Sequence, residues 1–251
     1  MKKIAITAAL VALCSVSAVA ADLGATKAPI VDPAYDWSGF YIGANAGYGW
    51  ARNEHQDLGG NSSYWNDKSD VMNQTVDPRG AVYGGQFGYN WQAANWVFGL
   101  EGQFNGADVK RTDPSINYPD TDSLSSKIDS LGTVTARLGY AFNNWLPYIK
   151  GGYAAAHLET KNFALDNTYL SNRAWRSGYV VGAGVEYAFA ANWIFGVEYN
   201  YMDFGGKTFS GMTFDPAGVP FNDEHFNDTL KLSTVTARLS YKFGGPFVAK
   251  Y

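Results

Sequence analysis

The chain has 251 residues, 46% hydrophobic and only 17% charged, with a formal net charge of −4, 28 Gly, 8 Trp, 17 Tyr, 15 Phe and one Cys. This aromatic content excludes a disordered chain, the lone cysteine excludes a disulfide scaffold, and the acidic balance argues against nucleic acid as a partner. Past residue 20 there is no run of about 18 apolar residues, which argues against a bundle of membrane-spanning helices.

Met1-Lys2-Lys3 is a basic start, residues 4–16 are nearly all apolar, and Ala18-Val19-Ala20 has the small-x-small pattern that precedes a cleavage site. Together they read as a secretory signal peptide over residues 1–20. Its removal takes Cys14, Lys2 and Lys3 away, so the exported chain is cysteine-free and more acidic. Residues 21–36, with Pro29 and Pro33, read as a short periplasmic lead.

From residue 37 onward, apolar side chains recur at every second position, the period of a strand rather than a helix. The first segment sets Phe40, Ile42, Ala44, Ala46, Tyr48 and Trp50 on one face, and Tyr41, Gly43, Asn45 and Gly47 on the other. The second carries Tyr83, Phe87, Tyr89 and Trp91, and the third Trp96, Phe98, Leu100 and Phe104. The fourth carries Ile128, Val134, Ala136, Leu138, Tyr140 and Phe142 against Asp129, Thr133, Thr135 and Arg137. Four more follow: Ile149, Tyr153 and Ala155; then Tyr179 to Phe189; then Trp193 to Tyr201; then Val235 to Phe243, each at alternate positions.

Residues 92–95, 143–146 and 190–192 make tight turns, whereas residues 51–79, 107–126, 158–174 and 203–228 read as long polar loops. Short turns on one side, long loops on the other and aromatics at strand ends are the pattern of a bacterial outer-membrane barrel. A duplication supports the strand count. Asn95-Trp96-Val97-Phe98-Gly99-Leu100-Glu101 echoes Asn192-Trp193-Ile194-Phe195-Gly196-Val197-Glu198, and residues 133–138 recur identically at 234–239. Strands two to four thus match six to eight. The expectation is an all-β, eight-stranded antiparallel transmembrane β-barrel over residues 37–243, with a tail over 244–251. Closure leaves no strand edge unsatisfied in hydrocarbon.

The inward faces then hold Glu101, Asp129, Glu186 and Glu198 against Arg137, Lys150, Arg238 and Lys242. An eight-stranded barrel has room for little more than its own side chains, so these ions are expected to pair into a plug rather than line a channel. A small porin passing ions or solutes is the competing reading. His157 reads as a polar residue at the rim, with Glu159 and Ser171 nearby in sequence. His55 and His225 fall in the first and fourth long loops and form a minor candidate pair for a metal or haem. No metal-ligand motif, CxxC pair or nucleophile elbow is present, so no catalytic residue, metal or cofactor is assigned, and the chain reads as a non-enzyme. Acidic side chains outnumber basic ones in the loops, which suits contact with lipopolysaccharide through divalent cations, or with a host surface.

The opening strand Trp37-Ser38-Gly39-Phe40-Tyr41-Ile42-Gly43-Ala44-Asn45-Ala46-Gly47-Tyr48-Gly49-Trp50 resembles that of the alphaproteobacterial outer-membrane immunogenic proteins, a small porin-superfamily group. Pro147-Tyr148-Ile149-Lys150-Gly151-Gly152-Tyr153, the closing residues 234–243 and the tail 244–251 are similar to that group as well. The resemblance implies an eight-stranded surface-exposed barrel associated with envelope integrity and host contact. It also implies haem binding in some members, which bears on His55 and His225. A terminal aromatic read by the barrel-assembly machinery is implied too, and both Phe243 and Tyr251 fit that role.

Overall fold

The computed structural model describes residues 35–60, 73–115, 120, 122–163, 169–214, 217 and 219–244. The signal peptide over 1–20, most of the lead over 21–36, and the tail beyond Gly244, with Tyr251, lie outside the described residues.

Among the described residues nine strands form one antiparallel sheet: β1 (Gly39–Gly60), β2 (Asn73–Val76), β3 (Arg79–Ala93), β4 (Trp96–Pro114), β5 (Ser123–Tyr140), β6 (Trp145–Phe163), β7 (Tyr169–Ala188), β8 (Trp193–Phe214) and β9 (Pro220–Lys242). Each pairs with its neighbour, and β1 pairs with β9 to close the wall. The short β2 is the upper continuation of β3. Asn53 of β1 faces Val76 and Trp50 faces Arg79 without a change of register, and only Asp77-Pro78 interrupts the run. Proline has no N–H to give to the ladder, although its carbonyl still accepts the Ala51 N–H at 2.8 Å. The wall is therefore an eight-stranded barrel.

Three short connections, residues 94–95, 141–144 and 189–192, tie the strands at one end. Ala94 and Asn143 take the left-handed conformation there, both with φ of 53°. Gly39 opens β1 at φ 129°, and a Cβ at that position would stand 2.8 Å from the Phe243 carbonyl, so the seam of the barrel closes on a glycine.

At the other end the strands run well past the sequence-based boundaries, and the outer connections shrink to residues 61–72, 115–122, 164–168 and 215–219. The alternation continues upward, but its polarity inverts. Up to Trp50, Phe104, Val134, Tyr153, Tyr179, Tyr199 and Val235 the outside is apolar and exposed. Above them the outside carries Arg52, Glu54, Asp108, Lys110 and Arg173. Inside, at the same levels, Val82, Val109, Ile128, Leu158, Met202, Phe204, Leu230 and Leu232 pack into one buried cluster. The lower zone is built for hydrocarbon and the upper collar for water.

A second apolar cluster closes the turn end of the lumen: Trp37, Val97, Ala141, Leu146, Ala188 and Ile194. Trp37 is fully buried, its indole N–H donating to the Asn143 carbonyl at 3.3 Å and its backbone N–H to Gln92 Oε1 at 2.7 Å.

Candidate functional site

Between these two apolar layers lies the ionised part of the lumen. Six of the eight charged residues read from the sequence meet there, one from each of six consecutive strands: Glu101 (β4), Arg137 (β5), Lys150 (β6), Glu186 (β7), Glu198 (β8) and Arg238 (β9). Arg137 grips Glu186 with both terminal nitrogens, at 2.6 and 3.2 Å, and reaches Glu101 at 3.5 Å. Lys150 bridges Glu101 at 3.0 Å and Glu198 at 2.8 Å. Arg238 bonds Glu101 and Glu198 and stands 3.4 Å from Glu186. Three acids balance three bases, which is what burial of ions at these depths requires.

Further donors reach two of the three carboxylates. Tyr41 donates to Glu101 Oε2 at 2.7 Å, and Tyr148 donates to Glu198 Oε2 at 2.6 Å. Gln103 and Asn200 donate to Glu198 Oε1 at 3.0 and 2.9 Å. The Arg137 guanidinium lies 4.0 Å over the Tyr148 ring, a favourable cation–aromatic distance. These four partners were not singled out by sequence reasoning. For Tyr148 the signal was present, since it shares the parity of Lys150 on β6. Space for the long side chains comes from glycine. A Cβ at Gly184 would come within 2.6 Å of the Tyr148 ring, and one at Gly99 within 2.8 Å of Arg137 Cγ.

Two residues expected in this group lie elsewhere. Asp129 sits at a β-bulge where the β5–β6 register slips between Ile128 and Ser130. The extra residue exchanges the faces, so Ile128 points inward, fully buried, while Asp129 is partly exposed and binds His157 at 3.0 Å. Lys242 keeps the inward parity but is four residues below Arg238, roughly 13 Å at strand spacing. Its ammonium donates instead to the Asp36 carbonyl, 4.6 Å from the Tyr35 ring centroid.

Two of the histidines are also displaced from the sequence-based picture. Neither His55 nor His225 is in a loop: His55 lies on β1 and His225 on β9. His55 is buried with its Nδ1 2.5 Å from Asp228 Oδ1, and Arg176 donates to the Asp228 carbonyl. The backbone of His225 pairs with Ser210, and its side chain is outside the described part of the molecule. His157 is partly exposed and pairs with Asp129 across the sheet at 3.0 Å. Among the described residues no group of three or more His, Cys, Asp or Glu side chains is placed to hold a metal ion.

A closed antiparallel wall with an apolar, aromatic-rimmed exterior and an ionised interior defines an outer-membrane barrel. The chain belongs to the outer membrane protein β-barrel domain family, whose model matches residues 6–243. It is 31% identical over 253 residues to the 31 kDa outer-membrane immunogenic protein of Brucella melitensis, covering 96% of this chain and 100% of that one. The 22 kDa outer membrane protein of Rhizobium leguminosarum is 29% identical over 74% of this chain and 72% of its own length. Among solved structures, the outer membrane protease OmpT of Escherichia coli superposes with a TM-score of 0.54 at 9% identity, over 82% of this chain and 97% of that one. OprG of Pseudomonas aeruginosa gives 0.50 at 14% identity, over 83% and 97%. At such identities the likeness is one of fold. The protein resides in the outer membrane.

Proposed function

We propose that the chain is a structural, non-enzymatic barrel that anchors a rigid collar at the cell surface, with a lumen sealed against ions and solutes. The observation that carries this reading is the ionised network, whose six charged members are each no more than 5% exposed. The Trp37 cluster below and the collar cluster above add two apolar layers to the same seal. A conducting path would have to break ion pairs that leave partners buried and unmatched, at a penalty of several kcal/mol. The name of the Brucella relative, an outer-membrane immunogenic protein, suits surface display.

Single-channel recording of the purified, refolded protein in planar bilayers tests the reading. No steady current is expected from the wild type. A sustained ohmic current, abolished by Gly99→Leu, would replace the sealed barrel with a small porin.

A further inference from the structure

The inversion of polarity on the outer wall has a pocket at its edge. A cavity of about 580 Å³ is set into the outside of the barrel where β8, β9, β1 and β3 adjoin, lined by Tyr48, Trp50, Arg52, Arg79, Tyr201 and Lys231. Asp77, from the interruption between β2 and β3, is the one acid in its lining among the described residues. Below the pocket is the hydrocarbon-facing belt, for Tyr48 and Trp50 are 50% and 42% exposed. Above it is the charged collar.

The cations of the pocket are short of partners. Arg52 is engaged by Glu54 at 2.9 Å, but among the described residues the side chains of Arg79 and Lys231 make neither a hydrogen bond nor an ion pair. The ladder sets Arg52 against Lys231 across β1 and β9 and Arg79 against Lys110 across β3 and β4, while Lys231 also faces Asp203 across β8 and β9 and Lys110 pairs with Asp108 at 3.0 Å. Directly opposed like charges destabilise a sheet. A pocket lined by three cations and one acid, next to aromatic rings at a membrane interface, is complementary to an anion that itself carries apolar chains.

We propose that this pocket holds the phosphate-bearing headgroup of an outer-leaflet glycolipid. Arg79 and Lys231 clamp the phosphate oxygens, and Tyr48, Trp50 and Tyr201 meet the sugar and the first segment of an acyl chain. A guanidinium suits bidentate binding of phosphate, and an ammonium supplies a mobile point charge beside it. A soluble anion would use the cations but not the aromatic floor, which runs on into the apolar belt. The proposal rests on outer-membrane residence and is indifferent to whether the lumen conducts. It also replaces a cation bridge from acidic loops with a direct site on the wall.

The test uses the full chain refolded in zwitterionic micelles, with retained lipid counted by native mass spectrometry and affinity followed by Trp fluorescence. The probes are diphosphoryl lipid A, the same lipid after phosphatase treatment, and inorganic phosphate. Diphosphoryl lipid A is expected to bind the wild type in a salt-sensitive manner. The Arg79→Gln/Lys231→Gln variant should bind at least about tenfold more weakly, as two charge-assisted contacts are lost. Asp77→Asn should bind more tightly, and Lys207→Gln, outside the pocket, should leave binding unchanged. All these side chains are on the outer surface, and retained gel heat-modifiability shows that each variant has folded. Equal affinity of wild type and double variant would overturn the site. Equal binding of the phosphatase-treated lipid would make it an acyl-chain groove, and full competition by inorganic phosphate would make it a free-anion site. Either result refutes the glycolipid assignment.

Discussion

The lower barrel and the collar are made of the same strands, yet they obey opposite rules. In the lower zone Leu100 and Val134 face outward while Glu101 and Arg137 are enclosed; in the collar Lys110 and Arg52 face outward while Val109 and Ile128 are enclosed. The backbone does not register the change, because the ladder satisfies N–H and C=O groups in either surrounding. What changes is the solvent outside. Hydrocarbon accepts Leu and Phe and drives ions inward, where they must pair. Water accepts Lys and Glu, so the collar interior can pack apolar side chains as in a soluble protein, around the buried His55–Asp228 pair. Strand position thus follows from closure of the sheet, and the polarity of each face follows from depth in the membrane.

The comparison breaks most severely if the lower interior behaves like the collar interior. Glu101→Ala removes the carboxylate shared by Arg137, Lys150 and Arg238, and leaving those cations buried should cost about 3–5 kcal/mol. Urea unfolding in lipid vesicles measures it, and a loss below 1 kcal/mol would mean that water already reaches the network. A second experiment places one substitution in both zones. Leu100→Arg, on the hydrocarbon side at 54% exposure, should cost about 2–4 kcal/mol. Thr75→Arg, outward on the collar and opposite Glu54, should stay within about 0.5 kcal/mol of the wild type. Equal penalties at the two sites would put the membrane boundary elsewhere.

The inversion also explains which parts of the molecule could be read from sequence. In the lower zone, Phe98, Leu100 and Phe104 alternate with Gly99, Glu101 and Gln103, so both the strand and its outward face were legible. In the collar, Lys110 and Thr112 alternate with Val109 and Arg111, and such a stretch looks like a polar loop with scattered apolar residues. Only the neighbouring strands reveal it as a wall. The slip at Asp129 was hidden for a different reason. A bulge adds one residue and reverses parity beyond it, while local composition stays the same. Glu101, Glu186 and Glu198 were found because strict parity holds from the turn end up to their level. Tyr41 has the inward parity in the sequence and Tyr148 shares that of Lys150, but which carboxylate each meets across the lumen is set by closure of the barrel and leaves no local pattern. The pairing of His55 with Asp228 joins β1 to β9, a contact across the barrel seam that no local pattern records.

The smallest effect is expected where the collar meets water. Glu159 is held by Lys161 at 2.6 Å and by Arg173 at 2.7 Å. The hydrogen bond from Lys161 lowers its carboxyl below the ordinary value of 4.5, against a smaller opposing effect of burial and with help from Arg173. A lowered value in the folded state means that the pairing stabilises the collar at neutral pH. The benefit is lost as pH falls from the ordinary value through the folded one. Because the cations are partly solvated, the whole effect should be under about 1 kcal/mol. Glu159→Gln should therefore be slightly less stable than the wild type at pH 7, and the two unfolding curves should converge on acidification below about pH 4. High salt should narrow the gap as well, since exposed pairs are screened. A gap that persisted at low pH and high salt would mean that Glu159 acts through packing, and that at this position the collar resembles the enclosed lower lumen more than a surface in water.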